Sequence, residues 1–99
     1  MNLYNFKIPN TGEEFTTLFK GKNIEITRIV SSDELEIKEY NQSTDEFVVL
    51  LEGGATLEFE GKVIKLKRGD YLYIPAYTRH KVLKTSKGAL WLAVHFKST

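Results

Sequence analysis

The sequence predicts a single all-β domain, a barrel of short strands preceded by a short N-terminal helix. Three observations carry that expectation. From Asn23 onward the apolar residues recur with a period of two. Glycine-bearing turns separate these runs at roughly 8–12 residue intervals, as in sandwiches and barrels. No helical pattern intervenes between them, which excludes a parallel α/β sheet. A chain of 99 residues suffices for one domain and is too short for two. Residues 1–22 read as an N-terminal arm with the helix, and residues 23–99 as the barrel.

Along the chain, Gly12 to Gly21 reads as the helix. Phe15, Leu18 and Phe19 fall at i, i+3 and i+4, and Gly21 suits the left-handed position that ends a helix. At about two turns it needs an apolar surface to dock on, which makes it a brace outside the barrel. Ile24 and Ile26 then alternate with polar residues, as do Leu35 and Ile37 ahead of Tyr40. Phe47 to Leu51 is apolar at every position, the pattern of a central strand covered on both faces. Gly53-Gly54 signals a hairpin into Ala55, Leu57 and Phe59, which alternate with Thr56, Glu58 and Glu60. Gly61 turns the chain into Val63–Leu66, and Arg68-Gly69-Asp70 turns it again into Tyr71–Ile74, ended by Pro75. Val82-Leu83 and Ala89 to Phe96 complete the set.

Charge and composition narrow the partners. Fourteen basic and thirteen acidic residues are interspersed, for a net charge of +1, so nothing steers the chain to nucleic acid or an anionic membrane. Lys65-Leu66-Lys67-Arg68 alternates like the solvated face of a strand. The N-terminus has no signal-peptide pattern, and no apolar run approaches the ~18 residues of a membrane span, so a cytoplasmic location is expected. Cysteine is absent, so any metal must be held by imidazole, carboxylate, amide or phenol groups.

Glu46, separated by six residues from Gly53, and then Gly69-Asp70, Pro75 and His80 at their spacings resemble the two consecutive motifs of the cupin superfamily. The match spans residues 40–83, and the strands on either side fit the same jelly-roll β-barrel. Two departures stand out. The first motif usually carries two histidines one residue apart, where this chain has Tyr40 and Gln42 around Asn41. The second usually carries a glycine where this chain has Tyr77. The resemblance implies a compact ligand inside the barrel and small polar substrates such as organic acids or sugars. It also implies oxygenase, isomerase or decarboxylase chemistry, and a homodimer.

The candidate site is read residue by residue. Glu46 lies among Phe47, Val48, Val49 and Leu50, where a carboxylate is costly unless paired or coordinating. It is a candidate metal ligand or acid–base group, against a paired glutamate at a wet strand end. His80 is a candidate ligand by its spacing from Gly69 and Pro75, against a hydrogen-bonded structural histidine. His95 depends on register. With Thr85–Gly88 as a four-residue hairpin loop, His80 sits opposite Ala93 and His95 becomes its diagonal neighbour. A loop one residue shorter or longer turns His95 to the other face. Tyr40 and Gln42 share a face of an extended strand, with Gln42 a hard oxygen ligand and Tyr40 a ligand-binding or proton-donating hydroxyl. Tyr71, Tyr73, Tyr77 and Trp91 are mostly core or dimer contacts, and of these Tyr73 and Trp91 are candidate pocket walls.

Two functional classes follow. In the first, Glu46, His80 and His95, with Gln42 beside them, hold one divalent ion (Fe, Mn, Ni or Zn) in a metal-dependent enzyme with Tyr40 as proton donor. In the second, the same cavity is a non-catalytic binding or sensory site that needs no metal.

Overall fold

A computed structural model describes residues 1–97, and among them are nine β-strands and no helix. They are β1 (Glu13–Lys20), β2 (Ile24–Ser31), β3 (Glu39–Tyr40), β4 (Asp45–Glu52), β5 (Gly54–Phe59), β6 (Lys62–Lys67), β7 (Tyr71–Ile74), β8 (His80–Thr85) and β9 (Ala89–Phe96). They form two antiparallel sheets, one ordered β1-β2-β9-β4-β7 and the other β3-β8-β5-β6. The two inner faces enclose the core, built on Val48 and Leu50 of β4, Trp91 and Ala93 of β9, Leu57 of β5 and Ile74 of β7.

The helix expected over 12–21 does not form. The segment is β1, an edge strand paired along its length with β2, from Glu13↔Ser31 to Lys20↔Glu25. Thr16 and Thr17 are β-branched and Phe15 and Phe19 aromatic, all of which favour a strand. A two-turn helix has no backbone partner outside itself, whereas the edge of β2 offers a full ladder. The helical spacing of Phe15, Leu18 and Phe19 has another origin. The register shifts between Thr17 and Phe19, and such a bulge inserts one residue and exchanges the strand's two faces. Glu13 and Phe15 therefore turn toward the interior, and Phe19 turns outward with Ile26, its partner on β2.

Only β1–β2 and β5–β6 join neighbours of one sheet. The β5–β6 turn is Glu60-Gly61, both at positive φ (50° and 76°), the two-residue turn that matches strand twist. Gly53-Gly54, expected to close a hairpin, instead carries the chain from one sheet to the other. Gly53 has φ +86°, and a Cβ there would stand 2.5 Å from Ser86 Oγ and 3.0 Å from Ala89 Cα. The expected β8–β9 hairpin is also absent. β8 pairs with β3 and β5, while β9 pairs with β2 and β4.

The N-terminal arm is held on the outer face of the larger sheet. Arg28 Nη1 donates to the carbonyls of Leu3 (3.4 Å) and Asn5 (3.1 Å), and its guanidinium lies 5.8 Å from the Phe6 ring centre. Elsewhere that face is open. Phe19, Ile26, Val94, Phe47 and Tyr73 are partners strand to strand, one apolar row across all five strands. Phe19, Phe47 and Tyr73 are exposed. The expectation of cover on both faces of β4 holds only on its inner face.

Candidate functional site

A cavity of about 130 Å³ opens between the sheets. Its walls are mostly apolar, with Ile29, Val48, Leu57, Ile74, Val82 and Trp91 contributing. Polar side chains enter from several strands, each for a reason readable in the chain.

Glu46 is an inward position of β4, in phase with Val48 and Leu50, and is buried. Its partners in the sheet are His95 on β9 and Ile74 on β7. His95 in turn lies between two carboxylates, Glu46 on one side and Glu25 of β2 on the other. His80 begins β8 in the opposite sheet, paired with Tyr40 of β3 and Phe59 of β5. Gln42 sits in the loop between β3 and β4, and its carbonyl accepts a hydrogen bond from Tyr77 N (2.7 Å). Tyr77 stands at φ 61°, in the left-handed region where glycine is favoured. An exposed tyrosine thus holds a backbone conformation that glycine adopts without strain.

The polar groups meet at a single oxygen, Glu46 Oε1. Gln42 Nε2 donates to it at 2.6 Å. His95 Nε2 lies 3.5 Å away, an ion-pair distance rather than a tight hydrogen bond, and His80 Nε2 lies 3.9 Å away. His80 Nδ1 is 3.1 Å from the Thr78 carbonyl, which only accepts, so Nδ1 carries a proton and Nε2 is the atom turned to the cavity. The His80 ring stacks on Tyr40, with centroids 5.6 Å apart and planes at 23°.

These contacts decide the charges. Burial alone, the largest single influence, would raise the Glu46 pKa. The contacts and charge of His95, the Gln42 amide and the charge of His80 together outweigh it and hold the carboxyl below its ordinary value. His95 is pushed above its usual value by its contact with Glu46, against the effect of burial, with the charges of Glu46 and Glu25 adding to the rise. The Tyr40 phenol is raised by burial and then by Glu13 and Glu46, so at neutral pH it is a hydrogen-bond donor.

A depressed glutamate contributes stability above its unfolded value of 4.5, which is lost as pH falls through the folded value. A raised histidine contributes below its unfolded value of 6.5, and this is lost as pH rises through the folded value. The pair is fully effective between those two limits. His95→Gln is therefore expected to lower the melting temperature most between pH 4.5 and 6.5, with the deficit shrinking on either side. Melting curves across that range check it, and a pH-independent deficit would contradict it.

Of the residues singled out from sequence, the structure brings Tyr40, Gln42, Glu46, His80, Trp91 and His95 to the cavity. His95 arrives as the cross-strand partner of Glu46, not through a hairpin with β8. Tyr73 does not reach the cavity. It alternates with inward Ile74, faces outward beside Phe47, and donates its hydroxyl to Asp45 Oδ1 (3.1 Å). Among the described residues no group of three or more His, Asp or Glu side chains is arranged to hold a metal ion.

Sequence reading missed Glu13. It lines the cavity, accepts a short hydrogen bond from Ser31 Oγ, and Ser31 in turn accepts from Trp91 Nε1 at 3.0 Å. Its signal was the alternation of Glu13, Phe15 and Thr17, which the helical spacing masked.

Comparison with known proteins agrees with this geometry. A cupin-domain family model matches residues 27–95. None of the curated proteins matches the chain. Among solved structures, a protein of Ralstonia eutropha provisionally described as a mannose-6-phosphate isomerase is 30% identical. It superposes with a TM-score of 0.87 over 99% of this chain and 97% of its own. A cupin superfamily protein of Desulfitobacterium hafniense is 20% identical (TM-score 0.81, 97% of this chain and 87% of that one). KdgF of a Halomonas species is 14% identical (TM-score 0.79, 89% and 81%). The fold, the two motifs and these matches together make the chain a member of the cupin superfamily.

Proposed function

We propose that the cavity binds one compact organic ligand, with Glu46 and His95 holding its polar group and the apolar walls enclosing the rest. One observation carries this reading. Gln42, His80 and His95 converge on one buried carboxylate oxygen at the side of an otherwise apolar cavity. A few convergent polar groups with perturbed pKa values in an apolar pocket are what small-molecule sites are made of. Metal-free binding is the form the present arrangement fits. Glu46 Oε1 is turned to hydrogen-bond donors, Gln42 presents its NH2 group rather than its oxygen, and contact with Glu46 raises the His95 pKa above its ordinary value. A ligand hydroxyl or amide could take over the contact to Glu46 while His95 and Tyr40 donate to an acceptor. The same three groups supply a base and two proton donors, enough for a proton transfer.

The activity suggested for the Ralstonia protein does not carry over directly. No lysine or arginine lines this cavity to receive a phosphate.

One feature favours the metal-bound form as a second reading. With Nδ1 bonded to a backbone carbonyl, His80 presents Nε2 to the cavity in the manner of a metal-ligating histidine. Elemental analysis of protein purified without a histidine tag separates the two. Near-stoichiometric transition metal, lost in Glu46→Ala and His80→Ala but kept in Lys81→Ala, would overturn metal-free binding. For the ligand, metal-stripped protein is screened against small organic acids, alcohols and amines by thermal shift. A ligand at a roughly hundred-fold excess over Kd should stabilise by about 2.7 kcal/mol. A hit whose shift survives in Glu46→Ala binds elsewhere and counts against the site.

The open apolar row of the larger sheet is assigned to a second copy of the chain. It carries no charge of either sign, so it is complementary to itself, and monomers rarely leave such rows uncovered. Phe47→Glu is expected to halve the mass seen by light scattering. An unchanged mass, or a monomeric wild type, would refute the assignment.

A further inference from the structure

Glu13 is the polar group of the cavity that the Glu46 cluster leaves unused. It enters from the edge strand β1, with Phe15 two residues further along the same face. Its carboxylate is held by the neutral hydroxyl of Ser31, which Trp91 Nε1 fixes from the other side. Among the described residues it forms no ion pair, whereas Glu46 has two imidazoles beside it. Glu13, Phe15, Tyr40 and Trp91 all line the one cavity, an anionic group together with three aromatic rings. That combination has a known chemical preference. An organic ammonium ion is attracted to aromatic faces and to a carboxylate, and its alkyl groups tolerate apolar walls that would reject a strongly hydrated cation. Size limits it further. A dry cavity of roughly 150 Å³ accommodates benzene, so about 130 Å³ seats the head of a small ligand, such as a trimethylammonium group, with the remainder in the cavity's opening.

We propose that the Glu13 side of the cavity recognises a small organic ammonium group, seated between the Glu13 carboxylate and the rings of Phe15, Tyr40 and Trp91. The proposal rests on the reading of the cavity as the ligand site and adds the charge of the ligand to it. Glu13 remains costly in the free protein, since burial pushes its carboxyl above the ordinary value with the Ser31 hydrogen bond only partly opposing. A cation arriving beside it would relieve that cost.

The test compares choline with 3,3-dimethylbutan-1-ol, which has the same shape with carbon in place of the charged nitrogen. Binding to the full chain is followed by titration calorimetry and by the fluorescence of Trp91, the single tryptophan. Choline is expected to bind at least about ten-fold more tightly than the alcohol, and Glu13→Gln to remove that preference while the alcohol's affinity is kept. This comparison needs no variant to fold, because the wild-type ratio already decides it. Equal affinities would overturn the ammonium assignment and leave the cavity standing as a ligand site. Binding of neither compound would overturn the assignment as well, and the Glu46→Ala screen would then judge the cavity separately. A choline preference that persists in Glu13→Gln would place the cation elsewhere and overturn the role of Glu13.

Discussion

Glu46→Ala is expected to abolish ligand binding in the cavity and to lower stability by about 1–3 kcal/mol. The carboxylate accepts from Gln42, pairs with His95 and lies 3.9 Å from His80 Nε2, so its removal leaves three polar side chains without their common neighbour. The loss stays below that of a fully buried broken ion pair, because His95 is partly exposed and can release its proton. Glu46→Gln separates charge from shape. It retains an acceptor for Gln42 and removes the charge that raises His95. Its stability is expected to lie between wild type and Glu46→Ala, and the pH dependence attributed to the pair should vanish. Titration of the His95 ring by NMR checks the mechanism directly: its pKa should fall in both variants. Wild-type affinity in Glu46→Ala would remove this residue from the site.

The largest loss of stability is expected from Leu50→Ala. Leu50 is fully buried on the inner face of β4, opposite Trp91 in the sheet. Truncating such a leucine costs about 2–5 kcal/mol, the spread depending on how far the neighbours collapse. At roughly 4–8 °C per kcal/mol for a domain of this size, the melting temperature should fall by at least about 10 °C. Phe47→Ala, three residues away on the exposed outer face, provides the contrast. Its effect in the monomer is expected to stay within about 1 kcal/mol. Comparable losses at both positions, measured at concentrations where both variants and the wild type are monomeric, would mean that β4 is not oriented as described.

Much of the site was legible because alternation along a strand is a local property. Glu46 lies in phase with Val48 and Leu50, so its inward direction follows once the strand is recognised. The same logic should have placed Tyr73 outside, since it neighbours the inward Ile74. Recognising Gly69, Pro75 and His80 as a spaced set located the second half of the site before any strand pairing was known. Glu13 stayed hidden because one bulge gave β1 the apolar spacing of a helix. His95 was reached by an argument about a hairpin that does not exist.

The sequence by itself determined the strand segments from Asn23 onward, the inward phase of most of them, the motif spacings and hence the family. Tertiary structure decided which strands are neighbours, and through that which side chains meet. It brought β9 beside β4 rather than β8, joined His95 to Glu46, and folded the N-terminal segment onto an open edge that carried Glu13 into the cavity. The physical reason is that side-chain alternation depends only on adjacent residues. Strand pairing, in contrast, is chosen by burying all the apolar faces at once, and no short window of sequence contains that balance.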